Sequence, residues 1–188
     1  MKEKLAKIIR VVTVAPIAAF AVLTLLLRNA PGIYAAPFHY WYALGCLSFF
    51  PLLAYPVSWI AKTGRKKQRM LAVYFSLVGY AALLGLCIAA KVTSPELSLY
   101  ITYIGSVVVI AATSRFPKLL ASGHACGVAG PAVALCLMLG WGYWPALLVL
   151  PLVYWSSLVL RRHTWSQLLL GTATPVLFLC CFHLAGMV

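Results

Sequence analysis

The sequence predicts an all-α protein, a polytopic transmembrane bundle of about seven helices forming a single domain over residues 1–188. Three observations carry that reading. Hydrophobic residues make up 64% of the chain and charged ones 9%, with a mean hydropathy of +0.98. A water-soluble domain carries roughly 25% charged residues, and this much apolar surface needs lipid rather than water around it. The apolar residues fall into seven runs, most of them near the roughly 20 residues that cross a bilayer core. Between the runs lie short basic segments, as in loops beside lipid headgroups.

Taken in order, the expected spans are Val11–Leu27, Phe38–Ala61, Met70–Ala90, Leu97–Thr113, Ala125–Leu139, Trp141–Leu160 and Ser166–Met187. The first follows Lys2, Lys4, Lys7 and Arg10, as a signal peptide would. Its apolar core is longer than a signal h-region and six spans follow, so it is read as a retained helix. Asn29-Ala30-Pro31-Gly32, Thr93-Ser94-Pro95-Glu96 and Gly140-Trp141-Gly142 punctuate the runs as turns. The fifth run is the shortest.

The net charge of +13 would point to nucleic acid in a soluble protein. Here no continuous basic face is available, and no nucleic-acid partner is expected. Counted by side, the amino-terminal segment has four Lys and Arg. The second–third loop adds Lys62, Arg65, Lys66, Lys67 and Arg69, the fourth–fifth loop Arg115 and Lys118, and the sixth–seventh loop Arg161 and Arg162. Only Arg28 and Lys91 fall on the other side. The positive-inside rule then places the amino terminus in the cytoplasm, in what is expected to be a bacterial inner membrane. Phe38, Tyr40, Trp41, Tyr42, Trp141, Tyr143 and Trp144 form an aromatic belt at the outer interface. All six cysteines lie within apolar runs and no C-x-x-C pair occurs, so they read as packing residues.

The chain holds two acids, Glu3 and Glu96, and no aspartate. That excludes paired-carboxylate catalysis and carboxylate-rich magnesium sites, and argues against a pump or transporter built on intramembrane carboxylates. Four histidines remain. His39 and His183 fall near the outer face; His124 and His163 fall near the inner one. Two spans, one outgoing and one returning, separate His124 from His163, so both imidazoles reach the same side. His124 lies in Ala121-Ser122-Gly123-His124 at a helix start, where backbone N–H groups and a hydroxyl can receive an anion. His163 follows Arg161 and Arg162. Two histidines, a hydroxyl, a glycine turn and cations can support phosphoryl transfer, with one histidine as nucleophile and the other as proton donor. The plainer alternative is that the histidines are interfacial polar residues and the cations are topology signals.

These residues resemble the type 2 phosphatidic acid phosphatase superfamily of membrane lipid phosphatases, whose motifs read K-x6-R-P, P-S-G-H and S-R-x5-H-x3-D. Ala121-Ser122-Gly123-His124 resembles the second motif, with alanine for proline. Ser156-Ser157, five residues, His163, three residues and Gln167 resemble the third at the same spacing. The motifs fall within residues 114–175, and the fold implied is that family's six-helix core plus one helix. The resemblance implies that His163 forms a phosphoenzyme and His124 protonates the leaving alkoxide, with Ser122 and Gly123 binding phosphate oxygens. For the first motif, Arg115 and Lys118 are expected by topology and Lys62 and Arg69 by their K-x6-R spacing. Ser157 stands at the family's arginine, with Arg162 beside Arg161 as the cation expected in its stead. Gln167 stands at the aspartate that orients the nucleophile.

The implied activity is a phosphatase or phosphotransferase acting on a lipid phosphate, of the phosphatidate or isoprenyl class, at the cytoplasmic face. No metal and no cofactor is expected, because the protein's own cations hold the phosphate. Two further readings stand beside it: a catalytically silent relative that binds lipid phosphate or a partner membrane protein, and a small transporter or flippase.

Overall fold

The apolar runs fold as helices, and no strand occurs among the described residues. A helix satisfies its own backbone N–H and C=O groups, as the interior of a bilayer demands. The computed structural model describes residues 1–116 and 120–188, apart from the side chains of Arg65, Lys66 and Arg69. In chain order the helices are α1 (Lys2–Val12), α2 (Ala15–Asn29), α3 (Pro37–Ile60), α4 (Arg65–Ala89), α5 (Ser94–Thr113), α6 (Gly123–Leu139), α7 (Trp141–Val159) and α8 (Trp165–Leu184). α3 passes through a π-helical turn at Gly45–Phe49, and α7 begins as a 3-10 helix over Trp141–Leu148.

Five of these, α3, α4, α5, α7 and α8, are long and apolar enough to cross a membrane. The chain is an integral membrane protein. The other two expected spans depart from a simple crossing. α6 has 17 residues, about 25 Å at 1.5 Å per residue, against a core of roughly 30 Å. The first expected span, Val11–Leu27, is divided: α1 and α2 qualify only together, as a sixth span bent by 47°.

That bend has a local cause. Thr13 closes α1 by directing both its N–H (2.9 Å) and its hydroxyl (2.8 Å) to the Ile9 carbonyl. α2 then starts with Pro16 in its first turn, where the missing N–H removes no helical bond. α1 is itself amphipathic. Lys2, Lys4 and Lys7 are exposed, yet so are Leu5, Ile8 and Val11, and Ala6 alone is fully buried. Such a helix suits an interface plane better than a bilayer core.

α6 is the centre of the bundle, touching α2, α5, α7 and α8. Its small residues permit that. A Cβ on Gly127 would lie 2.3 Å from Ala15 Cβ, and one on Gly130 3.2 Å from Pro175 Cβ. α2 and α8 therefore approach the α6 backbone closely.

The end of the bundle opposite the basic loops is tied by a buried carboxylate. Glu96 Oε1 accepts from His39 Nδ1 (2.7 Å) and from the Tyr100 hydroxyl (2.8 Å). Its Oε2 accepts from the backbone N–H groups of Ala35 (3.2 Å) and Thr93 (3.3 Å). Thr93 Oγ1 in return accepts from Glu96 N, completing a capping box, and its hydroxyl donates to the Ile33 carbonyl. One side chain thus joins α3, α5 and the α2–α3 connection. The turn expected at Thr93–Glu96 is present, but Glu96 is wholly buried in it rather than solvated.

Candidate functional site

His124 and His163 meet in one cavity of about 500 Å³ at the end of the bundle where the basic loops gather. Each is placed by a short, fully specified piece of backbone. α7 stops in a Schellman turn: Arg162 N donates to the Ser157 carbonyl (3.0 Å) and Arg161 N to the Leu158 carbonyl (2.9 Å). Arg161 takes the left-handed conformation, φ 50°, that this turn requires. Two residues later α8 begins with a capping box between Thr164 and Gln167. His163 is held between this stop and this start.

Gln167 does two things from the third position of α8. Its Oε1 accepts from Thr164 N (3.3 Å) and from His163 Nδ1 (3.1 Å). An amide oxygen only accepts, so Nδ1 bears the proton and the neutral ring carries its lone pair on Nε2.

His124 is the second residue of α6. Ser122, fully buried, is the N-cap, its Oγ accepting from Ala125 N (3.3 Å). Ser122 N donates to the Gln167 carbonyl (2.9 Å), which ties the two histidine-bearing segments together. Close packing enforces that bond, because a Cβ on Gly171 of α8 would lie 2.3 Å from Ser122 O and 2.9 Å from its N. The N–H groups of Gly123 and His124 open the helix without intrahelical acceptors, and both residues line the cavity. His124 Nε2 lies 3.0 Å from Thr13 Oγ1. The Thr13 hydroxyl proton is committed to the Ile9 carbonyl, so Nε2 carries a proton and donates it to Thr13.

Arg10 is the cation the sequence reading missed. It lines the cavity from α1, and its Nη1 donates to Ser157 Oγ at 3.1 Å. Arg10 and His163 both lie within electrostatic reach of His124. Arg10 is the only Lys or Arg among the described residues lining this cavity. The expected cations sit elsewhere: Arg115, Arg162 and Lys62 are exposed and do not line it. Arg162 and Lys62 follow helix C-termini in turns with left-handed backbone at Arg161 and Lys62 (φ 47°), and such turns face outward. The Arg69 side chain and Lys118 lie outside the described residues. Arg10 carried one signal in the sequence, as the basic residue in the last turn of an amphipathic helix. Nothing in that signal names its partner. Among the described residues no group of three or more His, Cys, Asp or Glu side chains gathers to hold a metal ion.

The arrangement offers one imidazole with an oriented lone pair, a second imidazole, a guanidinium and a helix N-terminus. No family model, curated protein or solved structure matches the chain.

Proposed function

We propose that this chain is a membrane phosphatase or phosphotransferase of the type 2 phosphatidic acid phosphatase kind, acting on an amphiphilic phosphate monoester at the cytoplasmic face. The observation that carries the reading is the convergence of His163, its Nδ1 bonded to Gln167 Oε1, with His124 and Arg10 on one cavity. The excess of Lys and Arg at this end supports its cytoplasmic placement. In this topology α2 and α6 complete seven crossings and α1 lies along the inner interface.

His163 Nε2 attacks phosphorus and the P–O bond to the lipid breaks. The negative charge of the bound phosphate favours a second proton on His124, and the leaving alkoxide takes a proton from that imidazolium, which returns to the neutral ring. Water, deprotonated by His124, then attacks the phosphohistidine, the N–P bond breaks, and inorganic phosphate leaves. In transfer, an acceptor hydroxyl takes the place of water. The Arg10 guanidinium and the Gly123 and His124 N–H groups hold the non-bridging oxygens, where charge develops; Ser122, fully buried and not among the cavity-lining residues, holds that helix start by capping it.

The test is phosphate release by purified protein in detergent from phosphatidate, lysophosphatidate, phosphatidylglycerophosphate and isoprenyl phosphates. Release lost in both His163→Ala and His124→Ala is expected; turnover unchanged in either variant overturns the mechanism. Orientation is checked by an impermeant thiol reagent on whole cells, which should modify Gly142→Cys and spare Thr63→Cys.

One observation favours a second reading, a catalytically silent relative that binds lipid phosphate. The residue orienting His163 is a neutral amide, and the one wholly buried carboxylate, Glu96, lies at the other end of the bundle. Phosphate-dependent lipid binding without release from any substrate would select it.

A further inference from the structure

α1 has three faces, and the rest of the protein covers one of them. Ala6, Ile9 and Arg10, spaced i, i+3 and i+4, share a face that continues to Thr13 and packs along α7. Ala6 is fully buried there, Arg10 Nη1 donates to Ser157 Oγ, and Thr13 Oγ1 accepts from His124 Nε2. On the next face round, Leu5, Ile8 and Val12, at i, i+3 and i+7, are 51%, 60% and 60% exposed. Beyond them Lys4 and Lys7 are exposed as well. An apolar stripe and a basic stripe therefore run side by side along the helix, away from α7.

Water suits only the basic stripe, and hydrocarbon only the apolar one. α1 has 11 residues, about 16 Å at 1.5 Å per residue, against a bilayer core of roughly 30 Å. The 47° bend turns it off the line of α2. The boundary between acyl chains and headgroups satisfies both stripes at once. Charge then says which headgroup. Lys2, Lys4 and Lys7 are exposed on a helix with one acid, Glu3, and the chain's other acidic side chain, Glu96, is buried at the opposite end of the bundle. At least two of the three lysines draw their counter-charge from outside the chain. Anionic phospholipid supplies it at the depth where the apolar stripe ends.

We infer that α1 is a docking surface for anionic phospholipid of the leaflet it lies on, and that this seating holds Arg10 and Thr13 at the cavity. The helix that grips the headgroups also carries a guanidinium to Ser157 and a hydroxyl to His124. A bilayer poor in anionic lipid therefore loosens the site as it loosens α1. The consequence for turnover rests on the function proposed above; the docking itself does not.

The experiment places the full chain in lipid nanodiscs of phosphatidylcholine alone, or with about a third of it replaced by phosphatidylglycerol. Amide hydrogen exchange over α1 is read by mass spectrometry. It should be about 10–30-fold slower in the anionic discs, the gain expected from two lysines at such a surface. Lys4→Gln/Lys7→Gln should remove most of that difference, with exchange elsewhere in the bundle as in wild type to show that the variant is folded. Equal exchange in the two bilayers, or a difference that the variant keeps in full, overturns the docking. Protection in neutral discs that vanishes when each disc holds one copy assigns the face to a second copy of the chain, and overturns it too. Exchange at the ring C2–H of His124, followed over days in the same discs, reads the Thr13 contact without turnover. It should be slower in the anionic discs in wild type and equal in the variant; equal rates in wild type overturn the link between α1 and the site. Phosphate release, measured alongside, should rise several-fold in the anionic discs in wild type alone. Absence of release from every substrate overturns the phosphatase reading, while the two exchange measurements still decide the docking and its link to His124.

Discussion

Arg10 Nη1 lies 3.1 Å from Ser157 Oγ, a contact across 147 positions of the chain. It brings a guanidinium to the position where the resembled family carries its third-motif arginine and this sequence carries a serine. In the proposed mechanism Arg10 holds a non-bridging phosphate oxygen. Arg10→Ala should therefore lower kcat/KM for phosphate release by about 10²–10³-fold, as the loss of one preorganised charge contact in such a site does. Arg115→Ala and Arg162→Ala, whose side chains lie outside the cavity, should change it by no more than about 3-fold. Steady-state release assays on the three variants make the comparison.

The His163–Gln167 bond makes a second prediction. Gln167 fixes the tautomer but brings no negative charge to balance an imidazolium. Gln167→Glu keeps the oxygen and the capping box and adds that charge, so turnover should rise by about 10-fold. The neutral replacement of a triad aspartate costs about 10⁴, which sets the upper bound. Gln167→Ala should lower turnover and reduce the phosphoenzyme trapped by rapid acid-free quenching and phosphorus NMR.

Gly171 tests how tightly the two histidine segments must pack. A Cβ there would meet backbone atoms of Ser122 at 2.3 and 2.9 Å, and backbone cannot yield as a side chain can. Gly171→Ala should cost about 1–3 kcal/mol of stability, read as a lowered Tm, with activity falling further than the folded fraction. Gly85→Ala, where nothing lies within 4 Å, should leave the Tm unchanged or slightly raised.

The Glu96 cluster should behave as a tie and not as part of the site. Removing the carboxylate strands His39, Tyr100 and two backbone N–H groups at once. Glu96→Ala should destabilise by about 3–5 kcal/mol, the cost of breaking a buried pair from one side. A double-mutant cycle with His39→Ala should show strong coupling in detergent unfolding. Specific activity per folded molecule should stay within about 2-fold of wild type, since the cluster lies at the opposite end of the bundle.

Much of the site was legible because its signals are local. Ser122-Gly123-His124 and the His163–Gln167 spacing are each set within one helix start, and the N-cap and capping box they imply are present. The cations were not legible. Arg115 and Arg162 stand near the histidines along the chain and Lys62 has the expected spacing to Arg69, yet all three are exposed outside the cavity. Arg10 stands far along the chain and points in. Which member of a basic cluster enters a cavity depends on helix rotation and packing, and those are settled by residues elsewhere. Glu96 divides in the same way. Thr93-x-x-Glu96 is a readable capping box, but its partner His39, 57 positions away, is not announced by either residue.

By itself, the sequence determined that this is an all-helical membrane protein and roughly where its helices lie. Apolar runs of span length must bury their backbone polar groups within themselves, and that requirement acts over a few residues at a time. It could not determine that the first run bends at Thr13. Nor could it show that α6 sits at the centre on its glycines, or that Arg10 and Ser157 meet. Those features come from side chains far apart in sequence competing for the same few ångströms, a competition that exists only once the helices are packed.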